Sequence, residues 1–328
     1  MSNLFTSCNK LESIELSRLD TKNVENMDSM FLYCKSLTSI DLSSFNTEKL
    51  TSMSNMFMGC IGLTSIDLSY FDTSNVVSLS DLFNGCEKLE NVIFGEKFKT
   101  GKVVDMSNMF IKTAINKVDV SKFDTSNVLV MSAMFKSCKK LTSLDLNKFD
   151  TNNVINMQSM FEGCSALTSL NVDNFNTIRV TSMSSMFNGC SALKSLNLKS
   201  FNANSVKKLD NMFNDCSSLK EIIFNLEIFT ALPATDMSYM FNNCSSLEEL
   251  NLNGFDTENL VDMEHMFSYC TNLRNLDLSS FNTNKVKYFD GIFDNCEEMN
   301  VKINENLCQN LISSEYIPSN IHFIDINN

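Results

Sequence analysis

Apolar residues recur along this chain in one frame, F-x-x-C-x-x-L-x-x-I-x-L-x-x-F-[DN]-T-x-x-[VL]-x-x-M-x-x-M, which closes on the next Phe. It is complete from Phe31 to Phe57 and returns at Phe5, Phe83, Phe110, Phe135, Phe161, Phe187, Phe213, Phe241, Phe267 and Phe293. Most steps are 26 residues; the exceptions are 27 (Phe83 to Phe110), 25 (Phe110 to Phe135) and 28 (Phe213 to Phe241). A fixed period of this size marks a stack of structural repeats, each too small to hold a core alone. Inside one repeat, L-x-x-I-x-L ends with apolar residues two apart (Ile40, Leu42), the period of a short strand. M-x-x-M-F has apolar spacing of three and four (Met53, Met56, Phe57), which predicts a helical turn facing inward. Between them, Phe45-Asn46-Thr47 and its copies place short polar side chains where the chain turns.

The predicted fold is therefore an α/β repeat solenoid, leucine-rich-repeat-like, with a parallel β-sheet on one face and short helical turns on the other. Residues 1–300 form about 11–12 repeats of ~26 residues. From residue 301 the frame dissolves, and 301–328 is expected to be a C-terminal cap. Met1-Ser2-Asn3-Leu4-Phe5 parallels Met53-Ser54-Asn55-Met56-Phe57. The chain thus opens inside a repeat and is expected to be a fragment, or to have its first repeat covered.

The frame F-x-x-C-x-x-L-x-x-I-x-L lines up with the leucine-rich repeat, with Cys34 in a Leu slot. The fuller pattern, as in Leu141 through Leu144, Leu146, Phe149, Asp150, Thr151, Val154, Met157, Met160, Phe161 and Cys164, resembles the BspA-like leucine-rich repeat surface proteins. The resemblance covers about residues 4–300. It implies a curved solenoid, display at the cell surface or secretion, adhesion or partner binding, and no catalytic residues.

Two repeats depart from the frame in the same way. Leu89-Glu90-Asn91-Val92-Ile93-Phe94 and Leu219-Lys220-Glu221-Ile222-Ile223-Phe224 put Ile at the polar strand position and lengthen the turn. Their irregular loops include Gly95, Glu96 and Lys97 in the first, and Leu226, Glu227 and Pro233 in the second. Such loops are either tolerated surface insertions or places where function sits on a regular scaffold.

The 328 residues are 43% hydrophobic, with 26 Phe, 9 Gly and 2 Pro, which suits a continuous core and not a disordered chain. A net charge of −13 argues against nucleic acid or an anionic membrane surface as partner. No apolar run is long enough to span a bilayer, so no membrane insertion is expected. The opening MSNLFTSCNK has no apolar signal-like region, and this favours a cytoplasmic location as the alternative to the surface.

Eleven of the 12 Cys occupy one repeat position, from Cys8 and Cys34 to Cys296, with Thr113 standing in the twelfth place. Stacked equivalents point the same way, so a ladder of buried free thiols is expected. With only His265 and His322 as imidazoles and a Cys spacing of 26, no metal site and no cofactor is expected. The Met stripe exchanges with Leu79, Leu82, Phe289 and Ile292 and reads as core. No Ser-His-Asp set and no phosphate-cradling Gly loop is present, so an enzyme is not expected.

The strand's outward position reads Glu15, Asp41, Asp67, Ile93, Asp119, Asp145, Asn171, Asn197, Ile223, Asn251 and Asp277. Its first half is acidic and its second half rich in amides. Read blandly, this is a solvated strand face; read functionally, it is the surface that meets a partner. The sequence thus supports a non-enzymatic protein-binding module of surface or adhesion type, whose partner is a protein, with host and cell-surface proteins the candidates. An intracellular interaction scaffold of the same fold is the other reading. Oligomeric state is not legible.

Overall fold

A computed structural model describes residues 1–327. The chain forms two compact units, Met1–Val154 and Ile155–Asn328, and each is a parallel β-solenoid. In the first unit, β1 (Ser65–Leu68) and β2 (Asn91–Phe94) pair in parallel. In the second, β3 (Ser195–Leu198) pairs with β4 (Glu221–Phe224). There too, β5 (Leu250–Asn251), β6 (Asn275–Leu278), β7 (Met299–Ile303) and β8 (Ile321–Asp325) make a four-stranded parallel sheet in chain order. Other coils run the same segment extended, with sparser bonds between coils such as Thr38 N to Glu12 O at 3.4 Å. A second parallel ladder of single bridges links Asp105 to Ser78 and Val130, and another runs from Asn156 through Ser182, Lys208, Asp236 and Asp262 to Tyr288.

The expected helical turns at M-x-x-M-F do not form. Among the described residues the helical segments are Glu305–Leu307 and the four-residue α1 (Gln309–Ile312), both outside the repeats. The reason is a left-handed residue every fourth position: Ser29 (φ 57) and Tyr33 (φ 58), then Asn55 and Gly59, then Asp81 and Gly85. A residue in that region ends an α-helix. The amides of Ser29, Phe31 and Tyr33 instead reach the next coil, donating to Ser54, Met56 and Met58 carbonyls at 2.9, 2.9 and 2.7 Å. The alternate amides of Met30, Leu32 and Cys34 fold back three residues, to Met27, Ser29 and Phe31. Every backbone donor of the edge is thereby used, in stacked turns and not in a helix. The apolar spacing is unchanged, because Met27, Met30, Phe31 and Cys34 are buried either way.

Identical side chains stack through each unit. Phe31 and Phe57 lie face to face with ring centres 5.6 Å apart, and Phe241 and Phe267 at 5.8 Å. Such pairs add about 0.5–1.5 kcal/mol each beyond area burial. Buried thiols donate to the Phe carbonyl of the preceding coil, as Cys60 Sγ to Phe31 O at 3.1 Å and Cys216 Sγ to Phe187 O at 3.1 Å. The twelve cysteines are free. Burial pushes Cys34 up to about 11 and Cys60 to about 12, so these buried thiols stay protonated at neutral pH, whereas Cys8 in the first coil is exposed and departs from the expected buried row. The buried Thr of F-[DN]-T makes a third row: Thr125 Oγ1 donates to Asp150 O (2.9 Å) and accepts from Asp150 N (2.7 Å).

Candidate interaction face

The strand corner carries the sequence-predicted positions in register. β1 and β2 set Asp67 opposite Ile93, and β3 and β4 set Asn197 opposite Ile223. In the last sheet Asn251 lies opposite Asp277. Glu15, Asp41, Asp67, Asp119, Asp145, Asn171, Asn197 and Asn251 are exposed, Ile223 and Asp277 are half-buried, and Ile93 is 54% exposed. The row is therefore a surface, and Ile93 is an apolar point upon it.

These side chains also have a structural task that the sequence did not disclose. The first carboxyl or amide oxygen accepts the amide two residues on: Asp41 from Ser43 (2.9 Å), Asp67 from Ser69 (2.8 Å), Asp145 from Asn147 (3.0 Å), Asn171 from Asp173 (2.9 Å) and Asn251 from Asn253 (3.0 Å). At Asp119 and Asp277 the hydroxyls of Ser121 and Ser279 donate as well, both at 2.6 Å. Each is a side-chain-closed turn at the strand's end. The same device recurs at the other two corners, as with Asp124 accepting Ser126 N and Asp105 accepting Ser107 N. Hydrogen bonding holds the Asp41 and Asp119 carboxyls below the usual range, through the Ser43 amide and the Ser121 hydroxyl respectively. The turn-closing bonds fix these side chains in direction.

Where Ile takes this position the corner is built differently. In the first unit Phe94, Phe98 and Phe123 cluster with ring centres 4.6–5.9 Å apart. In the second, Phe224, Phe229 and Phe255 do the same at 4.8–5.5 Å. Aromatic packing lines both corners, and in the second unit the polar closure moves two residues on, Asn225 Oδ1 accepting the Glu227 amide at 3.2 Å. A side chain on Gly95 would fall 2.2 Å from the Ser69 carbonyl, so this loop lies tight on the coil before it. Glu96 pairs with Lys122, which keeps its carboxyl low. Lys97 borders a shallow cavity of about 220 Å³ with Tyr70 and Asp72. Leu226 and Glu227 line one of about 400 Å³ with Phe224, Lys199 and Gly254. Gly95, Glu96 and Pro233 line neither.

The face extends beyond the predicted residues. Asp277 lies opposite Lys302 of β7, and Lys302 opposite Ile324 of β8. Asn251, Asp277, Lys302 and Ile324, with Glu249 and Asn300, bound a groove of about 350 Å³ across β5 to β8. The sequence carries no signal for the register of Lys302 with Asp277, because the repeat frame has ended by residue 301. Among the described residues no cluster of His, Cys, Asp and Glu is arranged to hold a metal, and no helix is long and apolar enough to cross a membrane.

A family model described as Mycoplasma protein of unknown function, DUF285, matches residues 1–117, 60–169, 141–232, 163–250 and 222–324. Among solved structures, the chain is similar to a leucine-rich cell surface protein of Faecalibacterium prausnitzii, with 17% identity over 98% of this chain and 75% of that one, at a TM-score of 0.51. It is also similar to a leucine-rich repeat protein of Eubacterium ventriosum, with 12% identity over 78% and 82% of the two chains, at 0.34. No curated protein sequence matches. The first likeness shows the fold, and the leucine-rich-repeat resemblance read from the Phe-Cys-Leu frame holds.

Proposed function

We propose, for a chain that belongs to the DUF285 family of Mycoplasma proteins of unknown function, the role of a non-enzymatic module that binds a protein along its strand corner. What carries the reading is the row of outward side chains at the strand corner of each unit, whose polar members are oriented by a backbone bond, so that a partner meets a pre-organised surface. The row's acidic side chains in the first unit suit a partner with cationic side chains. The groove bounded by Asn251, Asp277, Lys302 and Ile324 suits a mixed polar and apolar strand or loop. The loops at Lys97 and at Leu226–Glu227 add apolar anchors at Ile93 and Ile223. Residues 301–328 close the array as its cap.

The similarity to a leucine-rich cell surface protein supports display at a cell surface and adhesion to a host or neighbouring cell. A second reading, an intracellular scaffold, is favoured by a cysteine ladder without disulfides among the described residues, which suits a reducing compartment. Protease shaving of intact cells separates the two: loss of the protein places it outside, and full protection places it inside.

The binding test exploits the turn chemistry. Replacing Asp41, Asp67, Asp119 and Asp145 together by Asn removes charge while keeping the turn-closing oxygen. Binding to host surface proteins is then measured against the parent chain, with a Lys302→Ala, Ile324→Ala variant as the second arm. Unchanged capture by both variants removes the strand corner as the site.

A further inference from the structure

One coil is a residue short, and the shortage falls at a single corner. Neighbouring coils read Cys86-Glu87-Lys88-Leu89 and Cys138-Lys139-Lys140-Leu141, with two residues between the inward side chains. The coil between them reads Thr113-Ala114-Ile115, with one. The amides of Leu89 and Leu141 fold back on the Cys86 and Cys138 carbonyls at 2.9 and 3.0 Å. Among the described residues, no hydrogen bond takes the amide of Ala114 or of Ile115. The missing residue leaves a pit of about 420 Å³ within the first unit. Its floor is Thr113 and Ala114, both buried, and its walls are Lys112, Glu87, Ser137, Lys139 and Lys140. The Thr113 hydroxyl donates to the Phe110 carbonyl at 2.9 Å, and the floor is thereby fixed.

The walls gather three ammonium groups in a chain whose net charge is −13. Lys140 is paired with Glu90 at 2.9 Å, but both are largely exposed and such a pair is weak. Lys112 and Lys139 enter no ion pair among the described residues. The carboxylate lining the pit is Glu87. Lysines around a concave site focus a positive field there, and ammonium, serine hydroxyl and unbonded amide are all hydrogen-bond donors. Glu87 supplies an acceptor at the rim. We propose that this pit binds the phosphate monoester of a small hydroxylated molecule, a sugar phosphate in chemical class. The dianion meets Lys112, Lys139 and Lys140, and a carrier hydroxyl donates to Glu87. A pit of this volume falls within the ~300–1,000 Å³ range of small-ligand sites, larger than a bare oxyanion needs. The inference is independent of the strand corner's role.

The test is calorimetric titration of the whole chain at low ionic strength with glucose 6-phosphate, glucose 6-sulfate and glucose. Saturable binding of the phosphate ester is expected, with none of glucose and weaker binding of the singly charged sulfate ester. Lys112→Gln with Lys139→Gln is expected to weaken it about tenfold or more, since charge-assisted bonds are lost. A Ser inserted between Thr113 and Ala114 restores the two-residue spacing and is expected to abolish binding; should that chain misfold, the lysine pair decides. No saturable binding, equal affinity in the lysine variant, or equal affinity for the sulfate ester overturns the assignment.

Discussion

The two units repeat the same core pattern and differ in their surfaces. Met1–Val154 carries 16 Lys and Arg against 18 Asp and Glu, a net −2, whereas Ile155–Asn328 carries 10 against 21, a net −11. In the first unit the shifted carboxyls move down: Asp41 by the Ser43 amide, Asp119 by the Ser121 hydroxyl and Asp124 by the Ser126 hydroxyl. In the second unit Asp262 and Glu264 move up. Burial is the first cause for both, followed for Glu264 by the charge of Asp262, and with Asp236 and Asp290 near both. The bridge ladder adds to that burial, because it sets Asp236 and Asp262 on successive coils where the first unit has Asn26 opposite Ser52 and a single Asp105 between Ser78 and Val130. A solenoid repeats whatever side chain it is given at the spacing of its strands, so like charges on the ladder accumulate while serines do not. The lesson is that stacking fixes the core and leaves electrostatics to the local sequence.

If the cores are equivalent, the largest effect falls equally on both units. Phe57→Ala and Phe267→Ala each empty a fully buried ring slot and are expected to cost about 3–5 kcal/mol, read by denaturant unfolding. A markedly smaller cost in one unit breaks the equivalence. Next comes the threonine row: Thr125→Val leaves the Asp150 amide and carbonyl without their partner and is expected to cost about 1–3 kcal/mol. The same change at Thr257, which bonds Asn282 on both sides, gives a matching loss in the second unit.

The units should separate by pH. A carboxyl lowered on folding contributes stability that is complete above its unfolded pKa and is lost as pH falls through the folded one, below about pH 4. A carboxyl raised on folding opposes stability when ionised, and that opposition is relieved as pH falls through the raised value. Hydrogen exchange resolved by coil is therefore expected to show coils around 236–290 gaining protection as pH drops from 7 toward about 4.5. Coils around 41–124 stay level over that window and lose protection only below it. Loss of protection in both units over the same window contradicts the assignment. Salt gives a smaller version of the contrast: about 0.5 M NaCl screens the self-repulsion of the second unit and should raise its protection more than that of the first.

The smallest effect sharpens the reading of the strand corner. Asp41→Asn keeps the oxygen that accepts the Ser43 amide, and Asp41→Ala removes it. A slightly lower melting temperature is expected for Ala than for Asn, and equal values would make the turn closure idle.

Much of this was legible from the chain itself. A period of 26 with Phe, Cys and Met in fixed places determines a stacked core, because one coil cannot bury its own apolar face and its neighbour offers an identical one. The inward Cys row followed, since a residue at a repeated inward position has only its own copies beside it, whereas the Thr of F-[DN]-T read only as a turn residue and its burial came from the structure. What the tertiary structure alone decided is how the backbone bonds are shared. Met27, Met30, Phe31 and Cys34 are buried whether the edge is a helix or a stack of turns, so their spacing does not distinguish the two. The choice rests on Ser29 and Tyr33 adopting positive φ, which sends the amides of Ser29, Phe31 and Tyr33 to the next coil. Likewise the sequence listed Asp41 and Asn251 as outward residues but not as turn closures, and it hid the pit at Thr113. Those depend on what stands one coil away, about 26 residues off in the chain, where no local pattern reaches.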